Sequence, residues 1–363
     1  MRVEVETPFD TWFSAHSLAG LFELAAKSEI ELRVRPGLSE YRRGMYALAM
    51  TVTGEGGPRK VLLDVKDAPG QIDQRWLRDY DVIFQRSFEP ELVDGLMARK
   101  SRESRCSRIE PMGLTYSCDS RHGSADRLLA VAPYVHLLKR FVVDEGGLGE
   151  RLGRLRWDIS HTRRPMGRPF FDVFEVPPGP TEPMVLFITR RFEPNSGERQ
   201  SAALRADKAA VNEERIELVC KLREAFGTRF VGGIMVDSVA PELPAKWVAP
   251  TLTRPMYLKV MRRARVVVYS RGLVGSLAYK LGEYFAASRC IVAEHTTFRL
   301  AEPWVAGEDL ATFGGVDECV RLCRELVDDP ARAAAMGQAA HRYYRRAVEP
   351  TAAMRLILER ALR

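Results

Sequence analysis

The sequence predicts an α/β protein built from two doubly wound domains that face each other across a cleft. The chain has 363 residues, which is more than one hydrophobic core usually supports. Strand-like and helix-like runs alternate along both halves, as they do in parallel sheets covered by helices. A stretch rich in glycine, arginine and proline separates the halves at residues 144–183, and this composition is typical of a linker. Ligands of such sheets are expected at the carboxyl ends of the strands.

The first half opens with an alternating stretch, Arg2-Val3-Glu4-Val5-Glu6, which is typical of a β-strand. Helix-like and strand-like runs then alternate to the end of this half, and their order predicts a parallel sheet. The predicted strands lie at residues 2–6, 30–34, 47–53, 60–65, 81–85 and 109–118, and the predicted helices at 16–27, 73–79, 90–99 and 125–142.

The second half repeats the same rhythm from Met184 onward. Its predicted strands lie at residues 184–189, 229–235, 265–270, 290–293 and 309–313, and its predicted helices at 208–226, 254–263, 276–287 and 316–327. Two more helices, divided near Pro350, end the sequence. The predicted domains are therefore residues 1–165 and 166–345, followed by a terminal helix over residues 346–363.

The formal net charge of +7 is carried largely by arginine, with clusters at residues 99–108 and 151–168. Such clusters favour polyanionic partners, which include nucleic acid, a nucleoside diphosphate and an anionic membrane surface. The clusters are not interleaved with aromatic residues, and neither a zinc finger nor an RNP motif accompanies them, so nucleic acid is not expected. The alternative is that the arginines form solvated faces.

The sequence does not favour a membrane-spanning protein, a metalloprotein or a protein stabilised by disulfides. The longest apolar stretches, such as residues 128–135 and 184–189, fall short of the roughly 20 residues that cross a bilayer. The first residues do not form a basic stretch followed by an apolar run, so a secretory signal is not apparent and a cytoplasmic location is expected. Peripheral membrane association remains open. The six cysteines form no CxxC pair, so we expect no metal site and no disulfide framework.

A glycine-containing loop between a predicted strand and a predicted helix is the main candidate for a binding site. The strand at 265–270 runs into Arg271-Gly-Leu-Val-Gly275-Ser276, where a helix is predicted to open. Backbone N–H groups and the positive helix end suit a phosphate at Gly275 and Ser276. Lys280 and Glu283 lie three residues apart, so both can point toward one ligand. The alternative for these two residues is an exposed Lys/Glu pair on the helix surface.

The stretch Ser276-Leu-Ala-Tyr-Lys280-Leu-Gly-Glu283-Tyr-Phe-Ala-Ala-Ser-Arg-Cys-Ile-Val-Ala293 resembles the helix-and-strand signature of GT-B glycosyltransferases of the group 1 type. The resemblance extends loosely over residues 184–346. It implies two Rossmann-like domains, an acceptor-binding one first and a donor-binding one second, and a terminal helix that packs back on the first. It also implies that Glu283 binds the ribose of a nucleoside-diphosphate sugar and that the preceding loop binds its phosphates.

The sequence departs from this family pattern at two places. Many retaining members carry a second glutamate eight residues before the first, and that position is Gly275 here. The absence of this glutamate favours inversion at the anomeric carbon. The usual glycine and proline after the helix are replaced by Ser288 and Cys290, so a different turn is expected there.

Two further groups of residues complete the predicted site. Arg190 and Arg191 follow the first strand of the second half, where the resemblance implies a cation for the leaving diphosphate. His16 is predicted to lie in the loop between the first strand and the first helix, and it begins a stretch that resembles the start of inverting plant-type members. Its imidazole is a candidate general base for the acceptor hydroxyl. Asp119, at the end of a predicted strand, is a second candidate, and the neighbouring His122 is a third. The alternative for the two arginines is a position at a domain interface, and for the other three residues it is a structural role at a helix or strand end.

Together these features predict a metal-independent glycosyltransferase that uses a nucleotide sugar as co-substrate and needs no bound cofactor. The acceptor can be a glycan, a lipid-linked molecule, a protein or a small molecule. One alternative is a nucleotide-sugar 2-epimerase of GT-B shape, and another is a basic binder of nucleic acid or anionic surfaces that is not an enzyme.

Overall fold

Two units, each built around its own sheet, make up the chain in the computed structural model. One unit contains Met1–Lys66, Gly70–Asp172 and Glu349–Arg363, and the other contains Asp67–Pro69 and Val173–Val348. The residues that the structure describes are 1–7, 13–36, 47–67, 72–100, 104–123, 149, 152, 168–193, 201–236 and 243–363. The helix predicted at 125–142 and nearly all of the arginine cluster at 151–168 lie outside these residues.

The first unit contains a six-stranded mixed sheet in the order β2-β1-β3-β4-β5-β6. Its strands are β1 Arg2–Thr7, β2 Glu31–Pro36, β3 Ala47–Gly54, β4 Gly57–Asp64, β5 Val82–Gln85 and β6 Arg108–Pro111. The prediction of a wholly parallel sheet is wrong for β3, which runs antiparallel to both β1 and β4. Only Glu55 and Gly56 separate β3 from β4, whereas a parallel crossover needs a dozen or more residues. The strand predicted at 109–118 is also shorter than expected, because β6 ends at Pro111.

Helices cover both faces of this sheet. They are α1 Ala15–Ala26, α2 Gln74–Asp79, α3 Pro90–Ala98 and, from the end of the chain, α10 Pro350–Leu362. One core joins strand residues such as Leu63 to α1 and α10, and the other joins Leu62 to α2 and α3, since neighbouring strand residues point to opposite faces. A Cβ on Gly20 would lie 2.1 Å from the carbonyl oxygen of Pro350, so glycine allows α1 and α10 to touch.

The second unit contains a five-stranded sheet in the order β11-β10-β9-β7-β8, and all of its strand pairs are parallel. This confirms the doubly wound architecture predicted for this half. Its strands are β7 Glu182–Thr189, β8 Phe230–Ile234, β9 Ala264–Tyr269, β10 Cys290–Glu294 and β11 Ala311–Phe313. The helices are α4 Phe171–Phe174, which begins in the first unit, α5 Ala202–Phe226, α6 Arg254–Arg263, α7 Tyr279–Ala286, α8 Val316–Asp328 and α9 Pro330–Tyr343.

The strands of the second unit are buried on both faces, as expected for a parallel sheet between helices. Val266 and Val268 belong to a core with α5 and α8, while Val267, on the opposite face, is also fully buried. Parallel pairing brings the carboxyl ends of β7 and β9 to one edge of the sheet. In the described part of the chain, none of the helices has the length and hydrophobicity of a transmembrane segment.

Candidate functional site

The loop between β9 and α7 is closed by its own hydrogen bonds. The amide of Gly272 donates to the carbonyl of Ser276 at 2.8 Å, and the amide of Ser276 donates to the carbonyl of Leu273 at 3.0 Å. The hydroxyl of Tyr269 accepts from the amide of Ala278 at 2.8 Å and donates to the carbonyl of Ser276 at 3.1 Å. The helix therefore begins at Tyr279, three residues later than predicted, and the amide of Ser276 is already bonded within the loop.

The turn that delays the helix has two consecutive residues in the left-handed region. Val274 has φ of 54° and Gly275 has φ of 74°. A Cβ added to Gly275 would meet only the ring of Phe298, at 3.7 Å, so the backbone conformation and not crowding favours glycine there. A glutamate at this position would have to adopt a conformation that side-chain-bearing residues rarely take.

Carboxylates from α5 and β10 hold the loop in place through Arg271. The guanidinium of Arg271 lies 2.7 Å from Asp207, 3.0 Å from Glu214 and 3.3 Å from Glu294. Asp207 also accepts from the amide of Val274 at 2.7 Å. Burial acts to lower the pKa of Arg271, but the hydrogen bonds to Asp207 and Glu214 outweigh it and raise that pKa. The ion pairs thus keep this side chain charged.

Arg215, on α5, connects the ends of β7 and β9. Its guanidinium donates to the carbonyl of Arg190 at 2.7 Å and to the carbonyl of Arg271 at 2.8 Å, and it lies 4.8 Å from the centre of the Phe192 ring. Burial lowers the pKa of Arg215 to about 10, which still leaves it protonated near neutral pH. Arg190 is exposed and Arg191 is half-buried at the same strand end. The two strand ends therefore share a group of basic side chains.

Lys280 extends this basic group from the first turn of α7. Its ammonium group donates to the carbonyl of Ile188 on β7. Burial lowers the pKa of Lys280 to about 8; Glu283 opposes the shift, and the positive charges of Arg215 and Arg190 add to it. Lys280 and Glu283 are consequently not the exposed surface pair of the alternative interpretation.

Glu283 is buried, with 3% of its surface exposed, and it forms an ion pair with Arg254. Its Oε1 lies 2.5 Å from a guanidinium nitrogen of Arg254, at the start of α6. Its Oε2 is also buried and has no hydrogen-bond partner within the described parts of the chain. This oxygen can accept a hydrogen bond from a ligand hydroxyl.

The turn after α7 explains one departure from the family pattern. Ser288 has φ of 55°, the left-handed conformation for which glycine is usually chosen. Its hydroxyl donates to the carbonyl of Val176 and lies 3.0 Å from Nδ1 of His341. These side-chain contacts stabilise a conformation that serine rarely adopts.

In the first unit, His16 is the second residue of α1 and not a loop residue, as the sequence had suggested. Only 2% of its surface is exposed, and its ring makes an edge contact with Tyr116 at 5.1 Å between centroids. The chain that follows β6 therefore packs against the beginning of α1. The hydroxyls of four buried residues in these two segments have no partner among the described residues: Ser14, Ser17, Thr115 and Ser117.

Asp119 lies three residues after Tyr116 and is almost fully buried. Its carboxylate lies 3.3 Å from Nε of Arg168, and its backbone pairs with Phe170. His122, the third candidate, is exposed and lies 3.9 Å from Glu23. The structure thus places His16 and Asp119 in connected segments of one unit, and both already have structural contacts.

Sequence reasoning missed Arg215, Arg254 and Asp64. The first two are ordinary basic residues on helices, and no local pattern marks their contacts with the strand ends. Asp64 ends β4 and is fully buried, and burial raises its pKa to about 6. Its position at the end of a run of apolar strand residues is the feature of the sequence that could have identified it. Among the described residues, no group of three or more potential metal ligands occurs.

The edge of the second sheet thus has basic side chains that suit an anion, and the neighbouring Glu283 has a buried carboxylate oxygen that suits a hydroxyl group. The family model described as glycosyl transferase-like matches residues 208–359, which contain Lys280 and Glu283. The chain therefore contains the glycosyltransferase-like segment that its sequence predicted. Comparison with curated proteins gave no match.

Comparison with solved structures gave matches of low sequence identity, of which three are described here. Sucrose-phosphate synthase from Thermosynechococcus elongatus is 13% identical, with coverage of 80% of this chain and 60% of that one and a TM-score of 0.40. HepE from Anabaena, solved in complex with UDP-glucose, is 11% identical, with coverage of 98% and 96% and a TM-score of 0.38. A putative UDP-N-acetylglucosamine 2-epimerase from Listeria monocytogenes is 11% identical, with coverage of 98% and 95% and a TM-score of 0.37.

Proposed function

We propose that this protein transfers a sugar from a nucleoside-diphosphate sugar to an acceptor hydroxyl or another nucleophile. The observation that carries the proposal is the grouping of Arg190, Arg215 and Lys280 at the ends of β7 and β9, next to Glu283. Positive charge at this edge suits a diphosphate, and a buried carboxylate oxygen suits a sugar hydroxyl. The glycosyl transferase-like match over the same segment supports this assignment.

In the proposed reaction, the bond between the anomeric carbon and the diphosphate oxygen breaks, and its electron pair leaves with the nucleoside diphosphate. Arg190, Arg191 and Lys280 stabilise the charge that develops on this leaving group, together with the backbone at Gly275. The predicted contribution of Ser276 is dropped, because its amide already donates to the carbonyl of Leu273. These cations neutralise the negative charge that a metal ion neutralises in other transferases, so we propose that the reaction requires no metal. Glu283 binds the ribose hydroxyls.

On the acceptor side, the attacking oxygen forms a bond to the anomeric carbon and loses its proton to a base. We propose His16 for this role, with Asp119 as the alternative, since imidazole and carboxylate both act as general bases. The missing glutamate at Gly275 favours an inverting reaction. The acceptor is a glycan, a lipid-linked molecule, a protein or a small molecule.

The proposal is tested first by binding. UDP, GDP, CDP and dTDP are each added to the protein, and the unfolding temperature is measured. A nucleotide at 100 times its dissociation constant should stabilise the protein by about 2.7 kcal/mol. The double variant R190M/R191M should lose most of this shift, whereas R324M, which removes an exposed cation from α8, should keep it. No shift with any nucleotide would contradict the proposal.

The reaction itself is tested with a panel of nucleotide sugars in the presence of EDTA. Release of nucleoside diphosphate together with a glycosylated product or free sugar is expected, and chelation should leave the rate unchanged. Interconversion of the sugar without release of nucleotide would instead identify an epimerase. A rate that depends on added divalent cations would refute the metal-independent part of the proposal.

A further inference from the structure

The ion pair of Glu283 engages one of its two carboxylate oxygens. Oε1 lies 2.5 Å from Arg254, while Oε2 is buried and has no partner among the described residues. A buried acceptor that is left unsatisfied costs free energy, so a ligand hydroxyl that reaches Oε2 gains a strong, charge-assisted hydrogen bond. The direction in which Oε2 points depends on how Oε1 is held.

Arg254 is itself held in a defined orientation. It is the first residue of α6, whose start is capped by the side chain of Thr253. Its guanidinium lies 5.1 Å from the ring centre of Phe174 and 5.4 Å from that of Tyr257, distances that are typical of cation–π contacts. The side chain of Arg254 is 40% exposed and that of Glu283 is 5% exposed, so Arg254 is the member of the pair that borders solvent.

The other cation near Glu283 has a different hydrogen-bond partner. Lys280 lies one turn earlier on α7, and its ammonium group donates to the carbonyl of Ile188. Within the described residues, Arg254 is therefore the side chain that forms an ion pair with Glu283. A buried carboxylate without such a partner would be strongly destabilised or would take up a proton.

We propose that Arg254 is a positioning residue that fixes the Glu283 carboxylate through Oε1 and so presents Oε2 to the ribose hydroxyls of the donor nucleotide. This inference rests on the proposed function and adds a specificity determinant to it. Arg254 acts through Glu283 and does not bind the diphosphate. Its loss should therefore weaken selectivity for ribose over deoxyribose while leaving affinity for the phosphates in place.

The test compares UDP, GDP, CDP and ADP with their 2′-deoxy counterparts by calorimetry. The unmodified protein should bind one ribonucleotide at least about 10-fold more tightly than its deoxy form, which is the order expected for a hydrogen bond to a charged group. R254M should reduce this ratio to near 1 with little change in the affinity for the deoxynucleotide. R254K, which keeps the charge, should give an intermediate ratio. K259M, which removes an exposed cation from the same helix, should bind like the unmodified protein.

A double-mutant cycle shows whether Arg254 acts through Glu283. E283Q alone should abolish the selectivity, and R254M/E283Q should show the same ratio as E283Q. If R254M does not fold, as judged by urea titration, R254K carries the test, because it keeps the charge next to Glu283 and changes only the geometry of the pair.

The outcomes separate the two proposals. Equal loss of affinity for the ribonucleotide and the deoxynucleotide in R254M would overturn the positioning role, because it would indicate direct contact with the phosphates. Unchanged selectivity in R254M would overturn it as well. Failure of the unmodified protein to bind any nucleotide would instead refute the proposed function on which the inference rests.

Discussion

The candidate residues of the two units have different electrostatic surroundings. In the second unit, Arg190, Arg215 and Lys280 gather at the ends of β7 and β9, and carboxylates hold the neighbouring Arg271. At the start of α1 in the first unit, the His16 ring packs against Tyr116 in a region with buried hydroxyls, and the nearby buried carboxylate of Asp119 is paired with Arg168. A charged diphosphate requires the first kind of surface, whereas a neutral hydroxyl acceptor requires the second. This contrast predicts that mutations in the two units will separate donor binding from transfer.

The largest effect is expected for His16 in the first unit. H16Q should lower kcat about 100- to 10,000-fold, because a general base contributes on this order, while nucleotide affinity stays unchanged. The measurement is steady-state kinetics together with nucleotide titration. D119N is the matched comparison: a larger loss of kcat in D119N than in H16Q, with both proteins folded, would make Asp119 the base.

Arg215 should give the next largest effect, this time on donor binding and stability. R215M removes the hydrogen bonds to the carbonyls of Arg190 and Arg271 and a buried charge near the proposed diphosphate site. We expect a loss of about 3–6 kcal/mol in the free energy of unfolding, since two hydrogen bonds to a charged group are lost and each is worth about 1.5–3 kcal/mol. Nucleotide affinity should also fall. Urea titration and calorimetry measure the two effects, and an unchanged affinity would remove Arg215 from the donor site.

The pKa of Lys280 provides a pH-dependent test of the basic group in the second unit. Its pKa is lowered from 10.5 to about 8 by burial, so the folded protein loses this charge as the pH rises through about 8. Nucleotide binding should therefore weaken up to about 10-fold between pH 7 and pH 9. K280M should bind weakly at both values and lack this step. In the unfolded chain, Lys280 keeps its proton up to about pH 10.5, whereas in the folded protein it loses the proton near pH 8. The contribution of Lys280 to the free energy of unfolding should therefore rise between about pH 8 and 10.5.

The smallest effect is expected at Gly275. G275A places a methyl group at φ of 74° in ordinary contact with the Phe298 ring, so the cost comes from the backbone alone and should be about 1 kcal/mol. Nucleotide affinity should fall only a few-fold if the loop keeps its hydrogen bonds. Thermal unfolding and titration measure both quantities. A stability loss well above 2 kcal/mol would show that the loop depends on more than this conformation.

The sequence predicted much of the second unit because its signals are local. Buried parallel strands read as continuous apolar runs, and every strand there was predicted within a few residues of its observed bounds. The predicted start of α7 is three residues too early. The pattern of apolar residues does not reveal the 3₁₀ turn at Leu273–Gly275 or the hydrogen bonds of Tyr269, which delay the helix. In the first unit, the antiparallel β3 was missed although the two-residue turn at Glu55 and Gly56 is a hairpin signal.

The sequence by itself determined the order of strands and helices, the glycine at position 275 and the glycosyltransferase-like stretch that contains Glu283, because these are properties of neighbouring residues. Tertiary structure alone decided that Arg254 pairs with Glu283 and that Arg215 joins the ends of β7 and β9. These contacts span 29 residues for the first pair, and 25 and 56 residues for the two bonds of Arg215. Such partners are chosen by packing and burial, which bring distant charges together in a medium where they must be paired.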